Sequence, residues 1–245
     1  MGIRHKILVA GCGSIGQRHA RLLSQRCDTA VYVADPLKVN INACKTVARI
    51  EGDFSDYRDA LNEKMDGVFI CTPNNTHVDI AIDAIESGSH VFIEKPVATS
   101  VAEAEKLLRY EKKEKRKILV GYMNRFSDQL QEVKEMINKC ELGNIVYANA
   151  SVYTFATLLC AKTDYRDKQE WSLIGDYTHE IDFLRYLIGE VEEIVAIADT
   201  LGMLEHMPKP NVAEIMLRFS NKAIGSIHMD CVRMPDKRTL EVIGD

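Results

Sequence analysis

Short apolar runs rich in valine and isoleucine punctuate the first half of the chain, at His5–Ala10, Thr29–Ala34, Gly67–Cys71, His90–Ile93 and Lys117–Val120. Between them, apolar residues return with helical period. That alternation predicts a parallel sheet with helices on its faces, the doubly wound α/β class. One helix start is written out, because Ser100 and Glu103 have the spacing of a capping box. The basic run Lys112–Lys117 would close the same helix, where cations suit the negative end of the dipole.

From about Phe126 the pattern changes. A helix over Ser127–Lys139 leads into strand-like runs at Asn144–Tyr153, Glu192–Asp199, Asn211–Phe219, Ala223–Val232 and Arg238–Ile243, joined by short turns such as Ser220-Asn221. Strands in succession predict a mostly antiparallel sheet. The expected division is therefore a doubly wound domain over residues 1–124 and an α+β domain over residues 125–245.

Composition narrows the classes. The chain has 245 residues, 46% of them hydrophobic, enough for a substantial core. No apolar run approaches the roughly 18 residues of a membrane span, and Met1-Gly2 lacks a myristoylation context because Lys6 stands where Ser or Thr is wanted. A net charge of -5 argues against a nucleic-acid partner. Seven cysteines without a Cys-x-x-Cys pair or zinc-spaced histidines read as reduced, mostly buried small residues, with no metal site and a cytoplasmic setting.

The first strand runs into Gly11-Cys-Gly-Ser-Ile-Gly16 and then into a helical stretch. A bare Gly-x-Gly-x-x-Gly is weak evidence; between a strand and a helix it reads as a dinucleotide site. Gly11 permits the tight turn, Gly13 lets the backbone approach a pyrophosphate, and Gly16 lets helix and strand pack closely, with Ser14 and Ile15 completing the loop. Asp35, 19 residues past Gly16 at the end of the second strand, is placed to accept from ribose hydroxyls and to repel a 2'-phosphate, which favours NAD over NADP.

Three further stretches follow later strands: Cys71-Thr-Pro-Asn-Asn-Thr-His77, Phe92-Ile-Glu-Lys-Pro-Val97 and Gly121-Tyr-Met-Asn-Arg-Phe126. With the glycine loop they resemble the glucose-fructose oxidoreductase, inositol dehydrogenase and MocA family of nicotinamide-dependent sugar and polyol oxidoreductases. The resemblance implies that Lys95 of the Glu94-Lys95-Pro96 motif lies beside nicotinamide and substrate, with Pro96 fixing an unusual turn. It places Thr72, Pro73 and Asn74 along the cofactor, leaves His77 between a helix-start role and a cofactor contact, and puts Asn124 and Arg125 near the nicotinamide or substrate end. The stretch from Asp176 through His179 to Asp182 resembles the family's catalytic segment, in which Asp176 and His179 work with Lys95. Read as a helix, it sets Ile181, Leu184 and Ile188 on an apolar stripe and His179, Asp182 and Tyr186 on roughly the opposite face.

The chain also departs from the family. Glu170-Trp-Ser-Leu-Ile-Gly175 carries Trp171 where relatives have glycines, and the segment from Thr163-Asp-Tyr-Arg166 to Asp176 is short. Arg238–Asp245 resembles a strand that relatives carry well before their end, so a truncated form of the family architecture is expected. The resulting reading is an NAD-dependent oxidoreductase of a sugar, amino sugar or polyol, forming a dimer or tetramer through the second domain's sheet. Its rivals are an NAD-binding protein without turnover and a glycosidase that uses NAD transiently.

Overall fold

The computed structural model describes residues 4–155, 173, 175, 177–202 and 209–245. The chain forms two compact units, one ending at Gly121 and the other beginning at Tyr122.

In the first unit, strands β1 (His5–Ala10), β2 (Thr29–Ala34), β3 (Gly52–Phe54), β4 (Gly67–Ile70), β5 (His90–Ile93) and β6 (Ile118–Val120) form one sheet in the order β3-β2-β1-β4-β5-β6. Every pairing is parallel. Strand β3 is three residues long and lies at the sheet edge, too short to register as an apolar run. Helices α1 (Ser14–Ser24), α2 (Lys38–Val47), α3 (Tyr57–Leu61), α4 (His77–Glu86) and α5 (Val101–Glu114) complete the unit.

Alternation along β1 shows why both sheet faces are covered. Leu8 and Ala10 join a core with α3, α4 and α5 residues such as Leu61, Ile85 and Leu107, whereas Val9 joins Ala20 of α1 and Ile41 and Cys44 of α2. The strand order reverses direction between β1 and β4. In open α/β sheets that switch point, at the carboxyl edge, is where ligands bind.

The cap of α5 is the expected box, extended by Thr99. Ser100 Oγ accepts from the Glu103 N–H at 3.3 Å, and the Glu103 carboxylate takes the N–H and hydroxyl of Thr99, at 3.0 and 2.7 Å, which with the Ser100 backbone N–H hold it below its usual range. The helix ends as expected within the basic run, with Lys115 in the left-handed region at φ 53°.

In the second unit, α6 (Asp128–Asn138), α7 (Thr178–Ile188), β7 (Ile145–Tyr153), β8 (Val191–Asp199), β9 (Val212–Phe219), β10 (Ile224–Asp230) and β11 (Lys237–Gly244) are described. The sheet order is β11-β7-β10-β9-β8, and only β7 and β10 run parallel. The buried face carries Ala148, Ala150 and Val152 of β7, Ile215 and Leu217 of β9 and Ile227 of β10, packed in one core with Phe183, Leu184 and Leu187 of α7.

Helix α7 corrects the expected stripe. Leu184 is buried, but its companions are Glu180, Asp182, Phe183 and Leu187, while Ile181 and Ile188 are only partly covered. Two acids enter the interior because each has a cationic partner: Arg125 for Asp182 and Arg238 for Glu180. The described cysteines are all free thiols. Of the six described, Cys12, Cys44 and Cys231 are buried, Cys71 is partly so, and Cys27 and Cys140 are exposed. Among the described residues, no helix is long and apolar enough to cross a membrane.

Candidate functional site

Strand β1 ends at the switch point and passes into Gly11, whose φ is +90°. A Cβ at Gly11 would lie 2.5 Å from the Cys71 carbonyl oxygen, and one at Gly16 would run into the carbonyl oxygen of Gly11. At Gly13 the same construction meets no protein atom within 4 Å. Two glycines thus let the chain pack on itself, while the middle one leaves open space above the start of α1. That helix has Gly13 at its N-cap and no side-chain cap. Its first-turn N–H groups, including those of Ser14, Ile15 and Gly16, lack intrahelical partners and sit at the positive end of the helix dipole. These residues fit the pyrophosphate of a dinucleotide.

Asp35, 7% exposed, follows β2. Its Oδ2 accepts from the Cys12 N–H at 2.8 Å, and Oδ1 accepts from the Leu37 N–H at 2.8 Å and Asn40 Nδ2 at 3.2 Å. A carboxylate has about four acceptor positions, so one remains for a ribose hydroxyl.

After β4, Thr72-Pro73 leads into a 3₁₀ turn at Asn74–Thr76. Thr76 Oγ1 donates to this loop and lies 2.7 Å from both Thr72 Oγ1 and the Pro73 carbonyl oxygen. His77 corrects the alternative of a cofactor contact. It is 0% exposed, with Nδ1 2.8 Å from the Pro96 carbonyl oxygen and Nε2 2.9 Å from that of Thr72, so both ring nitrogens face protein.

The Lys95–Pro96 peptide that follows β5 is cis. Glu94 Oε1 lies 2.7 Å from His19 Nε2. The His19 ring packs against Phe69 and Phe92, at 5.3 and 5.1 Å between centroids, and those two rings stack on each other at 4.6 Å. Burial by itself would raise the Glu94 carboxyl; the hydrogen bond and charge of His19, with the backbone N–H and charge of Lys95, outweigh it and hold the group below the usual range. A Cβ at Gly121 would sit 3.1 Å from Glu94 Oε2, so this glycine gives the carboxylate room. Sequence reasoning missed His19. Its signal was a polar residue three positions beyond Gly16, on the helix face that returns toward the sheet.

Within the second unit, Asn124 and Arg125 belong to a 3₁₀ turn at Met123–Phe126. The Asn124 carbonyl accepts from the N–H and hydroxyl of Ser127, the residue that caps α6. Arg125 commits Nε and Nη2 to Asp182, at 2.8 and 2.5 Å, a two-bond fork that raises the guanidinium further. It also lies over the Tyr186 ring at 5.3 Å. Asp182 therefore holds Arg125 in place, a partner that the expected ligand role did not include. His179, partly buried in the first turn of α7, meets the Tyr122 ring edge-on at 5.9 Å between centroids. Asp176, Trp171 and the Thr163–Arg166 stretch lie outside the described residues.

Residues 5–122 match a family model described as an oxidoreductase family with an NAD-binding Rossmann fold, and residues 130–245 match the GFO/IDH/MocA C-terminal domain. An inositol 2-dehydrogenase from Salmonella paratyphi B is 28% identical over 194 residues, covering 77% of this chain. The match spans only 56% of that relative's length. The WlbA dehydrogenase from Bordetella pertussis, solved with NADH and UDP-GlcNAcA, aligns with a TM-score of 0.89 at 23% identity over 100% of this chain and 72% of that one. A scyllo-inositol dehydrogenase from Lactobacillus casei, solved with NAD(H) and scyllo-inositol, gives 0.86 at 20% identity over 98% and 74%.

The Glu94–His19 bond predicts a defined acid response. A carboxylate held low by folding contributes stability above its unfolded pKa, about 4.3, and loses it as pH falls through the lower folded value. Replacing His19 with Phe keeps the ring packing and removes the bond. Thermal melts should show a deficit in His19→Phe near neutrality that shrinks as pH drops below about 4; a deficit unchanged by pH would assign the loss to packing alone.

Proposed function

The chain belongs to the GFO/IDH/MocA family of NAD-binding oxidoreductases, and from that premise we propose that it is an NAD-dependent dehydrogenase acting on a secondary alcohol of a sugar, amino sugar or polyol. The observation that carries this reading is the glycine loop at the β1–β4 switch point, where the chain closes on itself at Gly11 and Gly16 and stays open at Gly13. Gly11, Gly13, Ser14, Ile15 and Gly16 are assigned to the pyrophosphate, Asp35 to the adenosine ribose, and Thr72, Pro73 and Asn74 to the cofactor's flank. The named relatives act on inositols, and one structural neighbour was solved with a nucleotide sugar, so a polyhydroxylated ring is the favoured substrate class.

Bound nicotinamide supplies the hydride acceptor. In this reading Lys95 donates a hydrogen bond to the reacting oxygen and stabilises negative charge on it. His179 takes the hydroxyl proton, and Asp176, carried over by resemblance, orients the imidazole. Asn124 and Glu94 support the nicotinamide end, the latter through the position of Lys95. The test is a screen of sugars and polyols with NAD and NADP, read by absorbance of the reduced cofactor. Net NADH supports a dehydrogenase. Hydrolysed product without net NADH would replace it with a glycosidase, and binding without either would leave a cofactor-binding protein.

The partner in this proposal is a second copy of the chain. Val195, Ile197, Met216 and Ile224 lie on the open face of the second unit's sheet and are 67%, 75%, 56% and 39% exposed, an apolar surface of the kind that marks an interface. Light scattering should report a dimer or tetramer that Met216→Glu drives to monomer. A monodisperse monomer in the unaltered protein would refute the partner.

NAD should bind more tightly than NADP, because Asp35 sets like charge against a 2'-phosphate, and Asp35→Ser should narrow the gap in titration. Equal or better NADP affinity in the unaltered protein would overturn this role of Asp35. Lys95→Ala should cut kcat by roughly 100-fold with NAD binding nearly unchanged, as loss of a transition-state donor does. Lys95→Arg should not rescue it, since a planar fork has a different reach. His179→Ala should lose activity comparably and flatten the kcat profile near neutral pH. Near-normal turnover in Lys95→Ala would leave the lysine a strand-end charge.

A further inference from the structure

His77 has no role in the chemistry assigned above, yet it is buried completely and both of its ring nitrogens meet backbone carbonyl oxygens. Those carbonyls belong to two different loops. Thr72 follows β4 and opens the Thr72-Pro73-Asn74 segment; Pro96 follows β5 and the lysine of the Glu94-Lys95-Pro96 motif. A neutral imidazole has one donor and one acceptor nitrogen, whereas a carbonyl oxygen only accepts. The ring therefore donates to one of these carbonyls and spans the distance to the other, in a place that water does not reach.

The surroundings fit a spacer of fixed length. His77 is the first residue of α4, whose Val78, Ile80, Ala81, Ile82, Ala84 and Ile85 are buried, so the backbone carrying the ring is anchored in the core. Thr76 ties the near loop to itself through Thr72 and Pro73. His77 Nδ1 links the far loop, through the Pro96 carbonyl, to α4.

We infer that His77 is a positioning residue of the cofactor site, a ring of fixed length that staples the Thr72 loop to the Lys95-Pro96 turn and so sets the separation of the two segments that flank the dinucleotide. The inference rests on the dinucleotide reading of the first unit. Without the staple the separation of the two loops beyond the β4–β5 pairing is less closely set, and cofactor binding must restore it.

Calorimetric titration of NAD into the full chain and its His77→Phe and His77→Gln variants tests it. Phenylalanine fills the same space and donates nothing, so affinity should fall at least about tenfold, or about 1.4 kcal/mol. Glutamine restores one donor and should recover part of the loss. In turnover assays the KM for NAD should rise by more than kcat falls. A folded His77→Phe variant that binds NAD as tightly as the unaltered protein overturns the inference. If that variant does not fold, His77→Gln at full affinity overturns it instead. Absence of NAD binding in the unaltered protein would appear before any variant is made; it would bring down the dinucleotide reading and this role with it.

Discussion

The architecture of the first unit turns on two contacts too close for any side chain. Gly11 passes the Cys71 carbonyl, and Gly16 packs on the carbonyl of Gly11, so β1, β4 and the start of α1 converge on one point. A methyl group at either place would push the helix off the sheet or part the two strands where their order reverses. Because both glycines are occupied by protein, the free volume falls at Gly13, over uncapped N–H groups. Steric exclusion thus builds the cradle, and the helix dipole gives it its preference for anions.

Charge is handled the same way in both units: an acid enters the interior only with a cationic or hydrogen-bonding partner. Glu94 has His19, Asp182 has the fork of Arg125, and Glu180 has Arg238 of β11 at 2.6 Å. In each pair the partners come from distant parts of the sequence, so each fastens one element to another. Removing one partner from such a pair leaves an uncompensated charge, which costs far more than the pair contributes. That asymmetry makes these contacts local constraints on orientation rather than sources of bulk stability.

Much of this was legible in the chain. Five of the six strands of the first sheet announced themselves as apolar runs, and the glycine loop was recognisable because it lay between a strand and a helix. The features that escaped were those decided by tertiary partners. Nothing local shows that Glu94 reaches His19, 75 residues away, or that Arg125 forks onto Asp182, 57 residues away. The stripe expected on α7 failed for the same reason, since a periodicity argument counts Glu180 and Asp182 as solvent-seeking and cannot see the arginines that bring them inside. His77 looked like a helix-start decoration or a ligand contact; only the fold shows two carbonyls on either side of its ring.

Asp35 is the residue assigned to choose between cofactors, and its Oδ2 also holds the N–H of Cys12 inside the glycine loop. Selectivity and loop order are therefore carried by one carboxylate. A lineage moving toward a phosphorylated cofactor could not simply discard the acid, because the loop would lose its tether as the repulsion disappeared. The accessible route runs through a neutral acceptor such as Asn or Ser that keeps the tether, followed by a cation nearby. The choice of replacement is narrowed by a single hydrogen bond of 2.8 Å.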